Sequence, residues 1–141
     1  MSNYLASFRV IGNPKAQPRV KAYRRGSHAG VYTPPTAQGW KEAIKIVAMD
    51  VGIQGKMWEC PIDLRVEFYL PRPKSRKKDT WVTTKPDLDN LDKSLRDALT
   101  DICVWRDDSQ VVCGYSVKMY ETDDEPPGCM VIIADASEAG K

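Results

Sequence analysis

Residues 62–70, Ile62-Asp63-Leu64-Arg65-Val66-Glu67-Phe68-Tyr69-Leu70, alternate without a break. A period of two puts Ile62, Leu64, Val66, Phe68 and Leu70 on one face and Asp63, Arg65, Glu67 and Tyr69 on the other, which predicts a strand with one face against a core. Toward the C-terminus, Leu88, Leu91, Leu95, Ala98 and Leu99 recur at helical spacing and predict a helix over about 88–100. Residues 110–120, QVVCGYSVKMY, alternate again. After the acidic turn 121–128, the run 129–134 predicts a last strand, joined to its predecessor as an antiparallel hairpin.

Toward the N-terminus, Trp40, Ile44, Val47, Ala48 and Val51 form a second helical stripe that Thr36 is placed to cap and Gly52 to end. Residues 12–35, rich in Gly, Pro and basic residues, read as an extended loop or a hairpin, and residues 4–11 as the first strand. The order β-α-β-α-β-β, with two main helices, calls for crossovers on a mixed sheet: an α/β (α+β) fold in a single domain, residues 1–141.

At 141 residues with 42% hydrophobic and 28% charged side chains, the chain has the composition of one globular domain, not of a disordered or coiled-coil protein. No apolar run approaches the roughly 18 residues of a membrane span, and MSNYLASFRVIGNPK lacks the features of a signal peptide, so a soluble, non-secreted protein with no membrane partner is expected. Cys60, Cys103, Cys113 and Cys129 form no C-x-x-C clip and read as free thiols of a reducing cytosol. His28, the one histidine, sits in Gly26-Ser27-His28-Ala29-Gly30 and reads as a loop residue, which leaves little room for Ser-His-Asp chemistry.

The net charge of +2 conceals a strong polarity: residues 1–85 carry +10 and residues 86–141 carry −8. Lys15, Arg19, Lys21, Arg24 and Arg25 form one basic block and Arg72, Lys74, Arg76, Lys77 and Lys78 a second. Each is either a solvated loop or a surface for a polyphosphate, where neutralised phosphates release counterions.

Asp87 and Asp89 flank Leu88 where an extended chain enters the second helix. Structurally, Asp87 is a helix cap and Asp89 a complement to the helix dipole. The alternative follows from chain length. The helix is about 18 Å long, and residues 101–108 span up to about 26 Å if extended, so the chain is long enough to return to the helix start and set Asp107 or Asp108 beside Asp87 and Asp89. Carboxylates gathered there would repel one another without a cation, and hard oxygen donors suit Mg²⁺ or Mn²⁺. Lys93, four residues after Asp89, makes either a helix ion pair or a ligand for a phosphate oxygen.

Asp87-Leu88-Asp89-Asn90-Leu91-x-Lys93, then Asp97-Ala98-Leu99-Thr100, then Trp105-x-Asp107-Asp108-x-Gln110-Val111, closely resembles the RusA family of Holliday-junction resolvases, continuously from about residue 85 to 119. The resemblance extends more loosely to Gly12-Asn13-Pro14-Lys15-Ala16-Gln17-Pro18-Arg19 and Val31-Tyr32-Thr33-Pro34. It implies a bacterial or phage-encoded cytoplasmic endodeoxyribonuclease of recombination and repair, a homodimer that binds four-way DNA and makes paired, Mg²⁺-dependent nicks. Carried over by position, the metal-binding acids are Asp87, Asp89 and Asp108 and the catalytic lysine is Lys93, with Asp107 and Asn90 in support; Asp92 is an added charge beside Lys93. Two rivals are a restriction-like nuclease, whose acid-x-Lys pair belongs on a strand, and a non-catalytic nucleic-acid-binding module.

Overall fold

The computed structural model describes residues 3–18, 20–32 and 35–137. Its elements are β1 (Asn3–Ile11), β2 (Lys21–Arg25), β3 (His28–Tyr32), α1 (Gln38–Asp50), β4 (Ile62–Leu70), α2 (Leu88–Asp101), β5 (Val111–Tyr120) and β6 (Gly128–Asp135), with a 3₁₀ turn at Asp108–Gln110 before β5. β4 forms over the residues its alternation predicts. The main sheet has the order β1-β6-β4-β5, and β2 and β3 pair as a separate hairpin. Of the two readings of residues 12–35 it is the hairpin that forms, and His28 is the first residue of β3, opposite Arg25.

The sheet is mixed: β4 and β5 run parallel, while β6 is antiparallel to both β1 and β4. α2 is the crossover between β4 and β5. α1 packs on β1 and α2, and α2 on β5. The inward residues of β4 join Phe8, Val10, Trp40, Ile44, Leu91, Leu95, Leu99, Trp105, Val131 and Ile133 in one core, with Val47 and Leu88 partly buried against it and Val51, at the end of the first helical stripe, exposed. No helix among the described residues is long and apolar enough to cross a membrane.

Two expectations fail for physical reasons. The final two strands do not form a hairpin, because β6 inserts between β1 and β4. Cys129, Val131 and Ile133 are fully buried and suit a central strand, whereas β5, with Gly114, Ser116 and Lys118, suits an edge. The turn between them is long enough to carry the chain past β4, a step of roughly 10 Å across two strand spacings. At α1, Ala37 occupies the cap position and no side chain caps the helix; the burial of Trp40, Ile44 and Ala48 holds it instead.

Gly128 starts β6 with φ +149, and a Cβ there would overlap the Val10 carbonyl of β1. Only glycine fits both constraints. Gly128→Ala should cost about 3 kcal/mol, seen as a lower urea midpoint at unchanged slope; an unshifted midpoint would show that β1 yields at no cost.

Candidate functional site

α2 carries four aspartates and a fifth, Asp87, stands at its cap position, and the structure sorts them. Asp92 accepts a hydrogen bond from the Ser116 hydroxyl at 2.7 Å and pairs with Arg96 at 2.9 Å. Asp97 and Asp101 pair with Lys41 and Lys45 of α1. These three are spent on packing the helix. Asp87 and Asp89, at the helix start, are not. Asp87 occupies the cap position with extended dihedrals, φ −71 and ψ 139, yet its carboxylate makes no capping hydrogen bond. Among the described residues, Asp89 accepts only from the adjacent Asn90 N–H, at 3.0 Å. The Asp89–Lys93 helix pair is absent from the described ion pairs, and Lys93 is exposed. Two exposed carboxylates thus stand at the positive end of a helix dipole with a lysine one turn on.

Side chains that the motif does not contain hold this helix start in place. Lys118 of β5 donates to the carbonyls of Thr84 and Pro86 at 2.7 and 2.8 Å, fixing the chain immediately before Asp87. The buried Ser94 hydroxyl donates to the Lys15 carbonyl at 2.7 Å, and the Gln17 N–H donates to the Asn90 carbonyl at 2.9 Å. The basic N-terminal arm is thereby tied to the acidic helix. Between them lies a groove of about 700 Å³ whose lining includes Ala16, Lys21, Lys85, Asp87 and Asn90.

Lys118, Ser94 and Ser116 escaped the sequence reading because each acts through a partner 24 to 79 residues away, and a lone Lys or Ser carries no local signal of such a bond. Asn90 serves through its backbone carbonyl.

Asp108 is elsewhere. As the crossover from β4 to a parallel β5, α2 runs antiparallel to both strands: its first turns lie by Ser116 and Lys118 of β5, and its last turn by the loop that leads into β5, where the Val104 N–H bonds the Leu99 carbonyl. The helix itself returns the chain, so residues 101–108 stay at its far end, about 20 Å from its start for 14 residues. The expected convergence of Asp107 or Asp108 with Asp87 and Asp89 does not occur within the chain. No group of three or more potential metal ligands forms among the described residues.

The 3₁₀ turn is itself well built. The Gln110 amide donates to the Trp58 and Cys60 carbonyls at 2.7 and 3.1 Å, and its oxygen accepts from the N–H groups of Arg106 and Asp107. The Ser109 hydroxyl donates to Asp107 at 2.5 Å and holds that carboxyl below the ordinary range. Asp107 therefore shapes the turn, while Asp108, half-buried, is left without a described ion pair.

The basic residues divide as well. Lys15, Lys21, Arg24 and Arg25 are exposed on the arm and the β2–β3 hairpin; Arg19 lies outside the described residues. In the second block Lys74, Lys77 and Lys78 are exposed, and Arg76 pairs with Asp79. Arg72 donates to the carbonyls of Arg76, Asp79 and Glu121 and stacks on Tyr120. Its guanidinium is consumed in folding the 71–80 loop. The acid-x-Lys reading loses its footing, because the segment from Leu88 through Lys93 is helix and not strand.

A model of the endodeoxyribonuclease RusA family matches residues 12–134. The chain is 32% identical over 92% of its length to an uncharacterized protein, YqaN, of Bacillus subtilis, covering 96% of that protein. It is 30% identical over 72% of its length to the crossover junction endodeoxyribonuclease RusA of Escherichia coli K12, covering 76% of it. It is also 40% identical over 37% of its length to the crossover junction endodeoxyribonuclease of Lactococcus phage r1t, covering 40% of that protein.

Ser94→Ala removes one of the two ties between arm and helix. It should cost about 1 kcal/mol and speed hydrogen exchange at the Gln17 amide, read by mass spectrometry; unchanged exchange would mean that the arm is held without Ser94.

Proposed function

Because the chain belongs to the RusA family of endodeoxyribonucleases, we propose that it recognises four-way DNA junctions and resolves them by paired phosphodiester hydrolysis in recombination and repair, acting in the bacterial cytoplasm. The observation that carries this reading is the pair of unspent carboxylates, Asp87 and Asp89, at the start of α2 beside a groove lined by Lys21 and Lys85. A protein that needed these acids only for stability would cap or pair them, as it does Asp92, Asp97 and Asp101.

The donor set suits a hard divalent cation, Mg²⁺ with Mn²⁺ as a substitute, since only carboxylate oxygens are offered. When bound, such an ion would lower the pKa of a bound water and polarise the phosphodiester. Asp87 and Asp89 supply two of the three acids; Asp108 does not reach them within its own chain. Lys93, exposed one turn along α2, is placed to neutralise the charge that builds on the scissile phosphate. Lys21 and Lys85 hold the DNA backbone along the groove by phosphate contacts. The exposed Arg24 and Arg25 of the β2–β3 hairpin, with Lys15, Lys74, Lys77 and Lys78, extend that positive surface toward the junction arms. A four-way junction presents two equivalent strands, so paired nicks call for two such sites in a symmetric homodimer.

Two outcomes test this on a synthetic four-way junction with and without Mg²⁺. Asp89→Asn should retain or strengthen junction binding, because a carboxylate facing phosphate is removed, while nicking falls by at least about 100-fold; Lys93→Ala should lose turnover with little loss of affinity. Cutting by Asp89→Asn at the unmodified rate would dismiss the assignment. The double change Arg24→Ala, Arg25→Ala should weaken junction binding and flatten the slope of log K against log[salt] by about 2; an unchanged slope would take the hairpin off the DNA.

A further inference from the structure

Beside the groove that Asp87 and Asn90 line lies a hollow of about 390 Å³. Groove and hollow share Ala16, Lys85 and Pro86, so a single wall stands between them. The chemistry differs on its two sides. The groove holds an acid of the proposed reaction, whereas the hollow is walled by Pro14, Pro71, Pro73, Pro86, Leu70 and Val82, and none of its described lining residues is acidic. Proline has no N–H, so much of this wall offers water no donor. The volume falls in the range of roughly 300–1,000 Å³ that suits pockets for small organic rings.

The hollow is braced to stay open. On one side the Lys118 ammonium holds the Thr84 and Pro86 carbonyls, and the Val82 N–H bonds the Lys118 carbonyl. On another, Arg72 stacks over the ring of Tyr120, itself a lining residue, at 5.3 Å from the ring centre, and donates to carbonyls of the loop that carries Pro71 and Pro73. Ser94 holds the Lys15 carbonyl. The bonds that fix the start of α2 therefore also fix this cavity. Its polar side chains are left unspent: Asn13 and Thr84 make no described side-chain hydrogen bond, and the exposed Lys15 and Lys85 make no described ion pair.

We propose that the hollow receives one nucleobase of the DNA strand, taken out of its stack at the branch point, and that this capture sets which phosphate lies over Asp87 and Asp89. The proposal rests on the nuclease reading above. An extruded base is a flat ring with hydrogen-bonding edges and a phosphate on either side. The apolar walls suit its faces, the Asn13 amide and the Thr84 hydroxyl its edge, and the two lysines its phosphates. A lining without carboxylates suits a ligand that brings negative charge. Pro86 and Asp87 are consecutive, about 3.8 Å apart at Cα, close to the step of about 3.4 Å between nucleotides of one strand. A base held against Pro86 thus sets an adjoining phosphate at the acids. Extrusion costs least where pairing is already interrupted, so a four-way junction supplies what the hollow takes and a continuous duplex does not.

The test uses the full chain without Mg²⁺ and four-way junctions that carry 2-aminopurine at each position around the branch point in turn. Binding should raise its emission severalfold at one position, and the sheltered base should resist quenching by acrylamide. Thr84→Trp fills the hollow while its backbone carbonyl still accepts from Lys118; it should bind the junction through the phosphate contacts and lose the rise. No rise at any position, a rise that acrylamide quenches as fully as it does a base free in solution, or an undiminished rise with Thr84→Trp overturns the proposal.

A second readout needs no variant. A junction with 4-thiothymine at the responding position, irradiated with the wild-type protein, should cross-link to peptides containing residues 13–16, 70–73 or 82–86, identified by mass spectrometry; cross-links confined to other residues overturn the proposal. A wild-type protein that shelters the base yet leaves junctions uncut when Mg²⁺ is added refutes the nuclease reading and leaves the base pocket standing. Cutting without a sheltered base does the reverse.

Discussion

A helical crossover between two parallel strands has to run back against them, and in this protein that requirement separates the residues of the candidate site. α2 leaves the C-terminal end of β4 and delivers the chain to the N-terminal end of β5. Whatever stands at its start, here Asp87 and Asp89, is about 20 Å from whatever stands at its finish. The helix is anchored by Leu91, Leu95, Ala98 and Leu99, all fully buried, so no inexpensive shift of α2 shortens that distance.

The same helix separates carboxylates that are spent on packing from carboxylates that are left unspent. Ion pairs to α1 and a hydroxyl from β5 occupy Asp92, Asp97 and Asp101. These contacts are partly exposed and each adds little stability, but they orient the helix. Asp87 forgoes the capping bond available to it, and Asp89 takes up only a neighbouring amide. Carboxylates left uncompensated beside Lys21, Lys85 and Lys93 are well suited to a cation and a phosphate and poorly explained by folding alone.

Much of the fold was legible because burial imposes a period. The alternation of residues 62–70 and the stripe Leu88, Leu91, Leu95, Ala98, Leu99 located β4 and α2 almost to the residue. Strand neighbours were not legible. The order β1-β6-β4-β5 depends on how apolar the two faces of each strand are in competition with the others, and a short turn between β5 and β6 suggested a hairpin that the burial of Val131 and Ile133 overrides. Of the site, the aspartates and Lys93 could be named from their pattern. The residues that hold the start of α2, Ser94 and Lys118, act across long stretches of chain on backbone carbonyls, and that kind of bond leaves no mark in local sequence.

By itself the sequence determined an α/β domain, its elements, its acidic motif, its family and the polarity of its charge, because periodicity, residue chemistry and resemblance are all local or additive. It also allowed a chain long enough to bring Asp108 home to Asp87. Only the tertiary structure decided against that path: the parallel pairing of β4 with β5 makes α2 itself the return leg, and the length of chain left over is spent in the turn that Gln110 pins to the start of β4.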